Sequence, residues 1–183
     1  MFVNPAFQMR RYFEQDRNNG RGLMPHLCLT GTVLFDPYGI VAKLQQDARE
    51  IWEAGPAPLT PREIWEYRYH TIDALLDIDD VKARDPASAG LLVGSLLPAL
   101  IDRHYRISGR WLRKRKHLLN DLSKWDSLAA GHARRASETG SDIGHRHGAM
   151  VALAEHVLAP IGGRLPPEWS LDWEPLSADG KAS

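Results

Sequence analysis

The sequence predicts a mostly α protein: a helical bundle with a short N-terminal α/β remnant and an extended C-terminal tail. Three observations predict it. Apolar residues recur at helical spacing over long stretches, clear helix-start signals precede several of them, and only one segment has strand character.

In chain order, Phe2-Val3-Asn4-Pro5 is an apolar stub ended by a turn-forming Asn-Pro, and Phe7 to Arg17 has the charge-rich look of a surface helix closed by Asn18-Asn19-Gly20. Met24 to Leu29 fits a short helix, and the β-branched and aromatic run Thr32-Val33-Leu34-Phe35 fits a brief strand stopped by Asp36-Pro37. From Tyr38 onward, Val41, Leu44, Ala48, Ile51 and Trp52 keep helical spacing until Gly55, Pro56 and Pro58 break it. That break is the internal boundary, giving an N-terminal segment 1–55, a bundle 60–160 and a tail 161–183.

Thr60-Pro61-Arg62-Glu63 combines an N-cap hydroxyl, a proline at the first helical position and a Glu three residues after the cap. A long helix follows, with the apolar rows Ile64/Thr71/Leu75/Ile78 and Trp65/Tyr69/Ile72/Leu76. Asp85-Pro86 caps the next helix, Ala87 to about Ile107, which is apolar nearly all round and therefore central. Pro98 is expected to kink it. After Ser108-Gly109, the segment Arg110 to Leu119 is read as helical towards Trp125 and Leu128, residues 131–142 as a flexible connection, and Ser141-Asp142 as the cap of a last helix carrying Ile143, Met150, Leu153, Val157 and Leu158. The tail, with Pro166, Pro167, Trp169, Trp173 and Pro175, is expected to lie extended.

The bulk composition narrows the function classes. Lys and Arg number 23, as do Asp and Glu, so overall charge gives no argument for nucleic acid or an anionic membrane. The longest apolar run, Ala89 to Ile101, falls short of the roughly 20 residues that span a bilayer. Cys28 stands alone, which excludes an internal disulfide and a cysteine zinc cage and fits a reducing compartment. The N-terminus does not read as a secretory signal, so cytoplasm is the expected location.

Local charge is more informative. Arg103, Arg106, Arg110, Arg113, Lys114, Arg115 and Lys116 crowd one segment, and on an unbroken helix Arg103, Arg106, Arg110, Arg113 and His117 would form a phosphate-binding stripe. The alternative is a solvated basic face. Asp73, Asp77 and Asp80 share one face of the long helix with Asp79 beside them, and such a group needs cations: Arg68, Arg84 or the basic segment across the bundle. His145 and His147 point about 200° apart on a helix, so they cannot chelate one ion together, and no metal-ligand set is expected from His145, His147 and His156. His26 and Cys28 suggest a dyad, but no oxyanion element accompanies them. The glycines fit neither a Rossmann nor a P-loop pattern.

Residue order adds to this. Phe2-Val3-Asn4-Pro5 with Arg10-Arg11-Tyr12-Phe13, Leu27 to Leu34 around Thr30-Gly31, Arg68-Tyr69, Asp73-Ala74-Leu75-Leu76-Asp77, and Gly109-Arg110-Trp111-Leu112 with Lys116 resemble the C-terminal portion of bacterial nucleotidyltransferase-domain proteins of the DNA polymerase β superfamily. In that superfamily a small α/β domain carries a Gly-Ser pair and acidic residues that bind magnesium and a nucleoside triphosphate, and a helical bundle closes the cleft. The resemblance covers nearly the whole chain. It implies that Met1 begins near the last strand of the absent catalytic domain, making the chain a remnant, a mis-started frame or half of a split enzyme.

The same resemblance implies that Lys116, with Arg110 and Arg113 near it, contacts the triphosphate, and that Asp73 and Asp77 face the acceptor substrate. This sequence departs from the family at the chemistry: it has no Gly-Ser followed by Asp-x-Asp, so no catalytic residue is assigned and two-metal transfer by this chain alone is not expected. Magnesium and a nucleoside triphosphate are the expected cofactor and ligand where the missing domain is supplied by a separate nucleotidyltransferase subunit or a homodimer. Two other readings are a non-catalytic module docking on such a subunit, and a ribonuclease of the HEPN kind. For the latter, Arg110 and His117 satisfy the Arg-x(4–6)-His spacing, although Trp111 stands where those families place a polar residue.

Overall fold

A computed structural model describes residues 6–165. The chain forms the mainly helical bundle expected of it, with eight α-helices among the described residues: α1 Ala6–Asn19, α2 Leu23–Thr30, α3 Ile40–Ala54, α4 Pro61–Val81, α5 Pro86–Ile107, α6 Leu118–Trp125, α7 Ser127–Ser137 and α8 Ile143–Leu158. Short 3-10 turns occupy Arg115–His117 and Ala159–Ile161. The Phe2-Val3 stub and the tryptophan-containing tail lie outside the described residues. None of the described helices is long and apolar enough to cross a membrane.

Two apolar clusters organise these helices. Phe13 of α1 and Leu44 and Ala48 of α3 form the smaller, with Met9, Met24, Cys28, Leu29 and Ile51 packed against them. The larger joins α4 to α8 and includes Leu75, Ile78, Val93, Leu96, Leu100, Leu122, Met150, Leu153 and Val157. The capping box at Thr60 forms as its sequence dictates: the hydroxyl accepts from Glu63 N, and the Glu63 carboxylate accepts from Thr60 N. Asp85 caps α5 by accepting from Ser88 N, and Asp142 caps α8 by accepting from His145 N. Cross-links from Glu63 to Arg106 and from Thr71 to Arg103, with a short turn between the helices, make α4 and α5 an antiparallel hairpin.

Four local expectations are corrected. Thr32–Phe35 forms no strand, because among the described residues there is no strand for it to pair with; Leu34 and Phe35 are almost fully exposed. Helix α1 is no mere surface helix, since Phe13 is completely buried. Residues 131–137 belong to α7 rather than to a flexible connection: Ala129, Ala130, Ala133 and Ala136 make a buried stripe small enough for close approach to α8. The segment after Gly109 is not helical until Arg115.

That last break has a clear cause. Gly109 adopts φ +62°, its N–H reaches Arg106 O, and Arg110 N–H reaches Tyr105 O, which is a Schellman ending. Leu112 N–H then bonds Gly20 O, so the connector 110–114 is tied to the N-terminal helices instead of winding on. Helix α5, by contrast, runs through Pro98 as one element.

Candidate functional site

The basic segment divides into residues used inside the fold and residues left facing solvent. Arg106 is buried, donating to Ala57 O at 2.7 Å and pairing with Glu63 at 3.3 Å. Arg103 is held by the Thr71 hydroxyl and lies 5.6 Å from the Tyr67 ring centroid. Neither belongs to an exposed stripe, so the stripe expected from an unbroken helix does not exist.

Of the other cations, Arg110, Arg113, Lys114 and Arg115 line two depressions on either side of Trp52 and Arg113. One, about 570 Å³, is walled by Arg21, Arg113, Lys114 and Arg115, the histidines His26 and His117, and the apolar surfaces of Leu23, Trp52 and Leu112. Asp102 is the one carboxylate among its lining residues. Arg115 grips that carboxylate with two N–H groups at 2.8 and 2.6 Å. Burial nevertheless pushes the Asp102 pKa above the ordinary carboxylate value, with Arg115 opposing the rise. The volume lies within the range of small-molecule sites.

The second depression, about 480 Å³, is lined by Trp52, Glu53, Tyr105, Arg110, Trp111, Arg113, Asp121, Lys124 and Trp125 among others. The Arg110 guanidinium lies 4.5 Å from the Trp125 ring centroid, a cation–π contact, and Arg113 pairs with Asp121 at 3.3 Å. Asp121 also accepts from the Tyr105 hydroxyl at 2.7 Å; burial first, then this bond, pushes the Tyr105 pKa up to about 12. With mixed charge, this depression is a poorer anion site than its neighbour.

Sequence reasoning brought Arg110, Arg113 and Lys116 together as phosphate contacts. Arg113 lines both depressions and Arg110 the mixed one, whereas Lys116 is exposed on the 3-10 turn and outside both linings. Asp73 and Asp77 are exposed on α4, about 200° from the buried Leu75. Their neighbour Asp80 pairs with Arg84, and Asp79 with Lys82, both within the helix or at its end. Arg68 serves the carbonyls of Gly162, Gly163 and Arg164 instead. The sequence does not assign Arg21, His26, Lys114 and Arg115 as phosphate contacts: Lys114 and Arg115 read only as part of the basic segment, His26 only beside Cys28, and Arg21, about 90 residues from the connector, has nothing in its local sequence to mark it.

A third constellation was also missed. His104 Nε2 and His156 Nε2 stand 2.8 and 2.6 Å from the same Oδ2 of Asp126, whose Oδ1 caps α7 by accepting from Ala129 N at 2.9 Å. Burial would raise the Asp126 pKa, but Ala129 N–H, His156 and His104 outweigh it and hold the carboxyl at about 2. The His104 ring is buried and stacked on Trp125, with centroids 4.9 Å apart; burial lowers its pKa against the pull of Asp126. His147 has different surroundings, with Nδ1 3.7 Å from Asp79 and Nε2 buried without a partner among the described residues.

Fold and site together define a mainly helical protein, without strands among the described residues, whose connector between α5 and α6 walls a cationic, aromatic-edged depression. No protein-family model, no curated protein and no solved structure matches the chain.

Proposed function

We propose that this chain is the helical, nucleotide-binding half of a nucleotidyltransferase-type protein, taking the phosphates of a nucleoside triphosphate in the depression walled by Arg21, Arg113, Lys114 and Arg115. The observation that carries this reading is the charge balance of its lining: four permanent cations and two histidines against a single carboxylate, which Arg115 holds, while Arg113 also pairs with Asp121 of the neighbouring depression. Phosphate oxygens suit these donors, and the Trp52 indole offers a flat apolar wall to a base. The resemblance of Gly109-Arg110-Trp111-Leu112 with Lys116 to the superfamily's bundle supports the same ligand class. Catalysis then requires a partner supplying the acidic residues and magnesium.

Calorimetric titration of the purified chain with magnesium-ATP, and separately with inorganic triphosphate, tests the reading. Saturable binding is expected, weakened about five- to tenfold in Lys114→Ala and in Arg21→Ala, as loss of one charged phosphate contact implies. Absence of binding to either ligand at millimolar concentration overturns it.

A ribonuclease reading has one observation in its favour: His26 and His117 line the same cationic depression, so one imidazole could accept a proton and the other donate one around a bound phosphodiester. It does not use the Arg110 of the spacing motif, which lies over Trp125. RNA cleavage abolished in His117→Ala would favour it over nucleotide binding.

A further inference from the structure

We propose that His104, Asp126 and His156 form a binding site for a divalent transition-metal ion of the zinc class. The three contribute two imidazole nitrogens and one carboxylate oxygen, all within 4.8 Å of one another. That donor set suits Zn²⁺ and its first-row neighbours rather than magnesium or calcium, and three protein ligands leave a coordination position for water.

The residues arrive from separate elements and are fixed independently of any ion. His104 comes from α5, near the end of the bundle's central helix, with its ring clamped against Trp125. Asp126 stands between α6 and α7, where the bond from Ala129 N–H to Oδ1 turns Oδ2 towards the imidazoles. His156 lies on the last turns of α8 and is about one-third exposed, which gives an ion its way in. Both imidazoles therefore converge through Nε2 on one oxygen.

Helix capping alone does not account for this convergence. An N-cap carboxylate needs a backbone N–H, which Asp126 already has, and the histidines add nothing that α7 requires. An ion with bonds of roughly 2.0–2.1 Å separates its ligand atoms to a little over 3 Å. The present 2.6–2.8 Å spacing needs to open by less than 1 Å, a movement the one-third-exposed His156 ring can make. On binding, each imidazole coordinates through the Nε2 lone pair, which places its remaining N–H on Nδ1.

The test uses the full chain without an affinity tag, stripped with a chelator and titrated with Co²⁺ and then Zn²⁺. The expected result is one Co²⁺ per chain with visible d–d absorption, displaced by zinc. In His156→Ala the affinity should fall by at least about tenfold, as loss of a direct ligand implies. His145→Ala, which removes an exposed histidine of the same helix, should bind like wild type. Far-ultraviolet dichroism of His156→Ala checks that the bundle is intact, and Asp126→Asn gives a second ligand variant with the capping oxygen retained. Lack of d–d absorption at millimolar cobalt, or equal affinity in wild type, His156→Ala and Asp126→Asn, would overturn the proposal.

Discussion

Trp52 and Trp111 stack face to face, with ring centroids 5.3 Å apart and planes only 10° from parallel, and Trp111 Nε1–H donates to Trp52 O at 3.1 Å. This pair fastens the end of α3 to the connector after α5, and so fastens the smaller apolar cluster to the larger. It also stands where the two depressions meet. The cationic depression thus depends on a tertiary joint, not on any one helix.

Gly22 fits beneath that joint, where a small change should be costly. Its φ is +60°, and a Cβ there would lie 2.7 Å from the Trp111 ring and 2.9 Å from Trp52. Gly22→Ala should destabilise the protein by about 2–4 kcal/mol, combining left-handed strain with overpacking. Chemical unfolding followed by tryptophan fluorescence measures this directly; a loss below 0.5 kcal/mol would show that the joint yields freely.

Arg106 and Glu63 make the second long-range fastening. Glu63→Ala removes the capping-box partner of Thr60 and, among the described residues, the one carboxylate paired with the buried Arg106 guanidinium. A loss of about 2–4 kcal/mol is expected, most of it from the stranded charge. Arg106→Met with Glu63→Ala should recover part of it, which a double-mutant cycle by urea unfolding would reveal.

The same carboxylate predicts a pH dependence. Burial tends to raise the Glu63 pKa, but the Thr60 amide and hydroxyl and the Arg106 guanidinium outweigh it, leaving the pKa below its ordinary 4.5. A group whose pKa is depressed by folding adds stability that is complete above the unfolded value and disappears as pH falls through the folded one. The stability gap between wild type and Glu63→Gln should therefore be full at pH 7 and shrink steadily below about 4.5. Urea midpoints at pH 7 and pH 3 give the comparison; a gap independent of pH would mean that Glu63 acts through packing alone.

Close approach of α7 and α8 should be equally sensitive. Ala133 is fully buried in the alanine stripe, so Ala133→Leu should cost about 1–3 kcal/mol by overpacking, while Arg134→Leu on the exposed side should cost little. Thermal unfolding of the two variants side by side distinguishes the faces.

Salt provides a check on the proposed ligand site. Phosphate affinity resting on Arg21, Arg113, Lys114 and Arg115 is electrostatic and partly solvent-facing, so raising salt from 0.05 to about 0.5 M should weaken magnesium-ATP binding several-fold. Salt-independent binding, by calorimetry, would place the affinity in the apolar wall instead.

Sequence by itself determined the helical class, the caps at Thr60, Asp85 and Asp142 and the concentration of positive charge before α6, because periodicity and capping are written in neighbouring residues. It did not reveal that Arg103 and Arg106 are turned inward, that 131–137 is helical, or that the connector is not helical. Those outcomes hang on partners far along the chain: Glu63 and Ala57 for Arg106, α8 for the alanine stripe, and Gly20 and Trp52 for the connector. Nor could spacing bring His104, Asp126 and His156 together, since each faces the bundle from a different helix end. A local pattern fixes which face of an element is apolar; only packing decides what that face meets, because the energy of burial and charge pairing depends on neighbours in space.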